Sequence, residues 1–252
     1  MTDETGRESA DSSGPANSPS LPSAAKATGR SSSPAVSSQD DPARAMDRMY
    51  RVTRHIYDLT RRYYLLGRDR MLDRVVTHDG TATLEVGCGT ARNLIKLAKR
   101  RNCGSLYGLD ASHEMLETAA SSIRKAGVGE IVLRQGLAEQ LDARKMFGRE
   151  DGFDTIFFSY CLSMVPAWEG AIEAALTNLK PGGQLVIVDF WDQADLPRWF
   201  AAGLKKWLAL FHVFYRPDVH TALTNLGSSG RADVSFESVK KRYAYIAIVR
   251  KQ

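Results

Sequence analysis

The sequence has no apolar run of about 18 residues, no charged-then-apolar leader and only three cysteines. The first absence argues against a membrane-spanning helix and the second against a secretory signal. Cys88, Cys103 and Cys161 stand neither in pairs nor at metal-ligand spacing, which fits a reducing compartment and argues against a metal site. No internal repeat is visible. A cytoplasmic protein is the simplest expectation.

Hydrophobic periodicity is also missing from residues 1–43, where Ser, Pro, Ala and Gly dominate. Such a segment cannot bury enough apolar surface to offset the entropy of ordering, so it reads as a disordered tail. It is too acidic for a transit peptide, with six Asp and Glu against three Lys and Arg. Because the tail is net negative, the formal charge of +5 for the whole chain becomes +8 for residues 44–252. That balance favours anionic surfaces, either nucleic acid or phospholipid headgroups.

The remainder, 44–252, has the apolar content of one packed domain. From Ala45 to about Val76, Met49, Val52, Ile56, Leu59, Tyr63 and Leu66 step by three and four, predicting a helical cover over 44–78 with a bend or cap at Gly67. From residue 80 the pattern changes. The runs TATLEVGC, SLYGLD, IVLRQG, FDTIFFSY and QLVIVDF read as strands, with NLIKLAKR, HEMLETAASSIRKAG and WEGAIEAALTNL as helices between them. That alternation predicts an α/β fold with a parallel sheet. The runs ADVSFESV and KKRYAYIAIV are close enough to pair as an antiparallel end.

The turn LEVGCGTARN sets Glu85, Gly87, Gly89 and Ala91 at alternate positions where a strand becomes a helix. Glycines there allow a sharp turn and a close backbone approach to a nucleotide-like ligand. Asp110 closes the next strand 21 positions after Gly89, where a carboxylate can take both ribose hydroxyls. A dinucleotide-binding fold would carry the same two marks.

With the later LKPGG and the antiparallel C-terminal pair, this order resembles the class I S-adenosylmethionine-dependent methyltransferases over about residues 80–250. The resemblance implies a Rossmann-like, mostly parallel seven-stranded sheet with an antiparallel C-terminal strand and helices on both faces. It implies S-adenosyl-L-methionine as methyl donor and no metal. Glu85 would lie near the methionine ammonium, the backbone from Gly87 through Cys88 to Gly89 would cradle the methionine part, and Asp110 would hold the ribose. Met115 is placed to cover the adenine, with a core role as the alternative. Asn93, Ala111, Gly136, Leu137, Ala138 and Ser159 complete the implied cofactor set. Leu137 stands where the family often has Asp, which shifts the adenine amino contact to backbone, and Ala91 replaces a third glycine.

The stretch YDLTRRYYLLGRDR, from Tyr57 to Arg70, holds three tyrosines and four arginines. On one helix Tyr50, Tyr57 and Tyr64 recur every seven residues with Arg54, Arg61 and Arg68 beside them, a seam of π faces and fixed cations. A tyrosine seam packed on the sheet is the structural alternative. Together with FSYCLSMVPAWE and VDFWDQADLPRWFAAGLKKWLALFHV, this stretch resembles the N-methyltransferases of betaine-lipid synthesis from about Met46 to Val213. These convert diacylglyceryl-homoserine to diacylglyceryl-trimethylhomoserine. The resemblance implies a lipid substrate at the membrane surface and an upstream aminocarboxypropyl transferase as a possible partner, with no nucleic acid.

Under that reading Tyr57, Tyr64 and His212 are the candidates to take the amine proton. Arg61, Arg62 and Arg68 would grip the headgroup carboxylate, and Tyr63 and Tyr160 would line its pocket. The segment from Leu196 to Arg216 carries Trp199, Trp207, Lys205 and Lys206 on an otherwise apolar helix, which suits peripheral binding to a bilayer or, alternatively, packing on the sheet. Phosphatidylethanolamine and quinone rings are the rival acceptors, and a nucleic-acid-binding protein with a relic cofactor fold is the rival of another class.

Overall fold

A computed structural model describes residues 65–197, 199, 202–204, 206 and 215–252. The expected tail over 1–43, the expected cover before Leu65 and much of the segment between Leu196 and Arg216 lie outside the described residues.

Seven strands form one sheet in the order β3-β2-β1-β4-β5-β7-β6. They are β1 (Ala82–Val86), β2 (Ser105–Asp110), β3 (Ile131–Gln135), β4 (Phe153–Ser159), β5 (Leu179–Phe190), β6 (Ala232–Val239) and β7 (Ala244–Lys251). Strands β1 to β5 pair in parallel, and β7 runs antiparallel to both β5 and β6. This is the predicted mostly parallel sheet with an antiparallel end. Strand order reverses at β1, which lies between β2 and β4, and open α/β sheets bind ligands outside the carboxyl ends at such a point.

Every residue of β1 is buried, as a central strand covered on both faces requires. Its side chains alternate. Ala82, Leu84 and Val86 join one core with Ile187 of β5, α5 (Trp168–Thr177) and α6 (Pro217–Ser228). Val186, Val188 and Phe190 of β5 face the other core, with α1 (Arg68–Leu72), α2 (Arg92–Ala98) and α3 (His113–Ala126). Leu94 and Leu97 of α2 are fully buried there, and truncating either to Ala should cost about 2–5 kcal/mol.

Helix ends follow local chemistry. Ser112 caps α3 by accepting the Met115 N–H at 3.3 Å, and Gly127 ends it in the left-handed region. The short α4 (Ala143–Phe147), not foreseen in the sequence, is capped by Asp142, whose carboxylate accepts the Lys145 N–H at 2.9 Å. Gly67, expected to bend the N-terminal helix, has φ 84 immediately before α1. Strand β5 starts earlier than expected. Leu179 pairs with Phe153, the chain bulges over 180–183, and pairing resumes at Gln184 opposite Thr155.

The cover from Leu65 onward is packed, not loose. Leu65, Met71, Leu72 and Val75 enter the core beneath α2. Gln184 Nε2 donates to the Arg74 carbonyl at 3.0 Å, and Asp69 pairs with Arg92 and Lys96 across the helix surface.

Candidate active site

The glycine turn between β1 and α2 is bent by three left-handed residues, Gly87 (φ 71), Gly89 (φ 52) and Ala91 (φ 62). A methyl group on Gly87 would come within 2.3 Å of Cys161 Sγ, so glycine there is fixed by space as well as by angle. Ala91 is the exception to that logic. An L-residue in this region costs about 1–2 kcal/mol, partly offset by about 0.8 kcal/mol from its methyl, which is fully buried against α2. The backbone N–H groups of Gly87 and Cys88 both donate to the Leu109 carbonyl, at 2.8 and 3.0 Å, locking the turn to the end of β2.

Two carboxylates flank this turn. Glu85 stands one residue before the end of β1 with 2% of its surface exposed, and its Oε1 accepts Asn93 Nδ2 from the first turn of α2 at 2.7 Å. Asp110 ends β2. Its Oδ2 accepts the Gly89 N–H at 2.7 Å and its Oδ1 accepts the Ser112 N–H at 3.0 Å, so it joins the glycine turn to the start of α3. Cys88 lies between them. Burial first, then the charges of Asp110 and Glu85, push its thiol well above its ordinary range, so it remains a protonated packing group.

The implied cofactor residues surround the same turn. Ala111 follows Asp110, and its carbonyl accepts Gln135 Nε2 at 3.0 Å. The Gly136 N–H donates to the Asp110 carbonyl at 3.0 Å, Leu137 is extended, and Ala138 opens a single 3₁₀ turn with its methyl buried. Met115 is buried at 4% exposure yet belongs to neither core cluster. Ser159 ends β4 and is 6% exposed, and its Oγ has no hydrogen-bond partner among the described residues. A tight cradle, a carboxylate closing β2 and a buried hydroxyl lacking a partner among the described residues fit S-adenosylmethionine.

On the acceptor side, Tyr57, Tyr63, Tyr64, Arg61, Arg62 and His212 lie outside the described residues. Arg68 is described and is 9% exposed at the start of α1, its charge acting on the Tyr160 phenol. Tyr160 differs from expectation. Its ring is 2% exposed and packs 4.7 Å from that of Phe190, and its hydroxyl donates to the Leu66 carbonyl. Burial holds the phenol well above its ordinary range. Tyr160 therefore anchors the N-terminal cover and offers no open phenol to an acceptor in this conformation. It also adopts φ 53, a left-handed conformation rare for an aromatic residue and typical of strained site loops.

Sequence reasoning missed Asp189, the residue before the end of β5, which is 4% exposed. Its Oδ2 accepts the Ser163 N–H at 3.0 Å and its Oδ1 accepts the Phe190 N–H at 2.8 Å. Burial raises its carboxyl from the ordinary 3.8 to about 6, against those two N–H donors and the nearby Arg216 charge. A signal was present: VIVD closes a strand with an acid as LYGLD does. Among the described residues, no cluster of three or more His, Cys, Asp or Glu could hold a metal ion, and no helix is long and apolar enough to cross a membrane.

The chain matches a family of methyltransferase domains over residues 77–239, close to two thirds of its length. Among characterised relatives it is 31% identical over 123 residues to a demethylmenaquinone methyltransferase of Bacillus subtilis, covering 48% of this chain and 51% of that protein. The chain thus spans about half the length of the curated relatives it matches. Two solved structures share the fold. One is an S-adenosylmethionine-dependent methyltransferase of Aquifex aeolicus (TM-score 0.57, 18% identity, 81% of this chain and 97% of that one). The other is a phosphoethanolamine N-methyltransferase of Haemonchus contortus (TM-score 0.59, 14% identity, 73% and 52%). With the glycine turn, the two carboxylates at the carboxyl edge and the seven-stranded order in place, the chain belongs to the methyltransferase-domain family.

Proposed function

We propose that this methyltransferase trimethylates the amine of diacylglyceryl-homoserine, giving diacylglyceryl-trimethylhomoserine. The observation that carries this reading is the tyrosine- and arginine-rich stretch from Tyr57 to Arg70. Its described end is pinned at the carboxyl edge of the sheet by the bond from Tyr160 to Leu66. A stretch of that composition suits a headgroup that carries both an amine and a carboxylate.

Bound by Glu85, the Gly87–Gly89 turn and Asp110, S-adenosylmethionine supplies an electrophilic methyl group on a sulfonium. The chain's own task is alignment and water exclusion. The acceptor amine attacks only after losing a proton, which falls to Tyr57, Tyr64 or His212, directly or through water. Arg61, Arg62 and Arg68 hold the headgroup carboxylate, and tyrosine faces attract the methylated ammonium products.

A lipid acceptor also requires contact with the bilayer. Trp199 is 78% exposed and Lys206 is exposed in the segment after β5, a pairing suited to peripheral binding at an anionic interface. Such binding should weaken as salt rises. The upstream aminocarboxypropyl transferase that makes the homoserine lipid is the expected functional partner.

The second reading is methylation of a quinone ring, favoured by the demethylmenaquinone methyltransferases among the relatives. Purified full-length chain with methyl-labelled S-adenosylmethionine, offered diacylglyceryl-homoserine, phosphatidylethanolamine and demethylmenaquinone in separate vesicles, discriminates between them. Label entering only the homoserine lipid supports the proposal. Label entering only the quinone or phosphatidylethanolamine refutes it.

A further inference from the structure

The carboxyl edge carries a buried ionisable group that the chemistry above leaves unused. Asp189 lies on β5, yet its carboxylate is spent on the loop after β4, through the Ser163 N–H at 3.0 Å. The other side of the same residue is held as well, because Arg216 Nε, just ahead of α6, donates to the Ser163 carbonyl at 3.3 Å. A carboxylate and a guanidinium from two distant parts of the chain therefore grip one residue of one loop.

That loop touches both halves of the site. Tyr160 begins it and bonds the carbonyl of Leu66 in the N-terminal cover. Cys161 follows, with its sulfur so close to Gly87 that no side chain fits between them. A shift of the loop would move the cofactor turn and the cover relative to each other. Packing alone does not explain an acid at this position, because a buried carboxylate opposes folding near neutrality where an amide or apolar group would not.

We propose that Asp189 is a positioning residue for methyl transfer, its carboxylate setting the loop over 160–165 and thereby the spacing between the cofactor turn and the N-terminal cover. The proposal rests on the methyltransferase assignment but not on the identity of the acceptor. Among the described residues, the charged and titratable groups facing the carboxylate are Arg216 ahead of α6, the phenol of Tyr160 on the loop and the phenol of Tyr245 on β7. Both phenols are pushed well above their ordinary range by burial, so neither titrates alongside Asp189. Burial brings the Asp189 carboxyl to about 6, so the loop is held by an anion at neutral pH and by a neutral acid below it.

The test is Asp189→Asn in the full chain, read in two ways. With an active acceptor, kcat at pH 7.5 should fall about tenfold or more while S-adenosylhomocysteine binds within about twofold of wild type by calorimetry. The acid limb of the wild-type kcat profile near pH 6 should flatten. The second readout needs no acceptor. Hydrogen exchange of peptides over 160–167 should quicken about tenfold in the variant relative to peptides over β1. The same should occur in wild type between pH 7.5 and 5.5, after correction for intrinsic rates. A variant with wild-type kcat, or exchange over 160–167 unchanged in both comparisons, overturns the proposal. Should the variant fail to fold, the wild-type exchange comparison decides. Should no acceptor turn over, exchange still tests Asp189 while the acceptor assignment alone falls.

Discussion

Asp110 and Asp189 stand at the carboxyl edge of the same sheet, on β2 and β5, and each accepts two backbone N–H groups. Their surroundings separate them. Asp110 is half-buried and joins two elements of the cofactor cradle, whereas Asp189 is buried and bonded to the loop behind the acceptor side. A half-buried carboxylate can still reach a ligand. A buried one opposes folding at neutral pH and acts on the protein itself. The same residue type at the same edge therefore lies open to a ligand in one place and is turned to a loop of the protein in the other.

The sharpest way to break this comparison is to remove each carboxylate and measure cofactor binding. Asp110→Ala removes the carboxylate proposed to hold the ribose and should weaken S-adenosylhomocysteine by about 10²-fold or more in calorimetry. Asp189→Asn should stay near wild type. Equal losses in both would erase the distinction.

Next in size is the contact between the two regions. Gly87→Ala puts a methyl against Cys161 at φ 71 and should cost about 2–5 kcal/mol in urea denaturation. Cys161→Gly in the same chain should recover the steric part only, leaving the left-handed cost of about 1–2 kcal/mol.

A smaller effect carries a sign that a purely structural aspartate would not show. The Asp189 carboxyl is raised to about 6 in the folded chain from an ordinary 3.8, so the folded state binds its proton more tightly than the unfolded state. Ionisation then costs stability as pH rises through about 4 to 6, up to about 3 kcal/mol above that window. Asp189→Asn should accordingly stabilise against global unfolding at pH 7.5 even though the loop over 160–167 opens more often, with the gain shrinking to nothing near pH 4. Asp154 runs the other way. Burial works against its charge, but the Ala82 N–H and the Lys180 ammonium hold its carboxyl below the ordinary range, so its contribution is lost as pH falls below about 4. Urea titrations of both Asn variants from about pH 2 to 8 would show the opposite slopes, for Asp154 below about pH 4 and for Asp189 between about pH 4 and 6.

The smallest effect lies on the outer surface, where Asp69 pairs with Arg92 and Lys96 while staying 64% exposed. Asp69→Asn should cost less than about 1 kcal/mol, and 1 M salt should close the gap.

The glycine turn and its two flanking carboxylates were readable because their pattern is local. Glu85, Gly87, Gly89 and Asp110 sit within two βα units, and spacing alone places them at one strand edge. The strand alternation and the C-terminal pair were readable for the same reason, since buried parallel strands form continuous apolar runs. The acceptor side was not. Asp189 meets Ser163 across 26 residues, and Tyr160 meets Leu66 across 94, contacts that no local period encodes. The φ of Ala91 escaped notice because alanine favours helix and only the turn's tertiary locks force it left-handed. Helix α6 was missed because only Val219 and Leu223 on it are buried, too thin a stripe to stand out as a period.

The identity of the acceptor is tested most directly by lipid mass spectrometry of a host that carries the upstream aminocarboxypropyl transferase, with and without this chain. The expected result is homoserine lipid in the host lacking the chain and its trimethylated form in the host that has it. Unmethylated homoserine lipid accumulating equally in both hosts would contradict the proposed function.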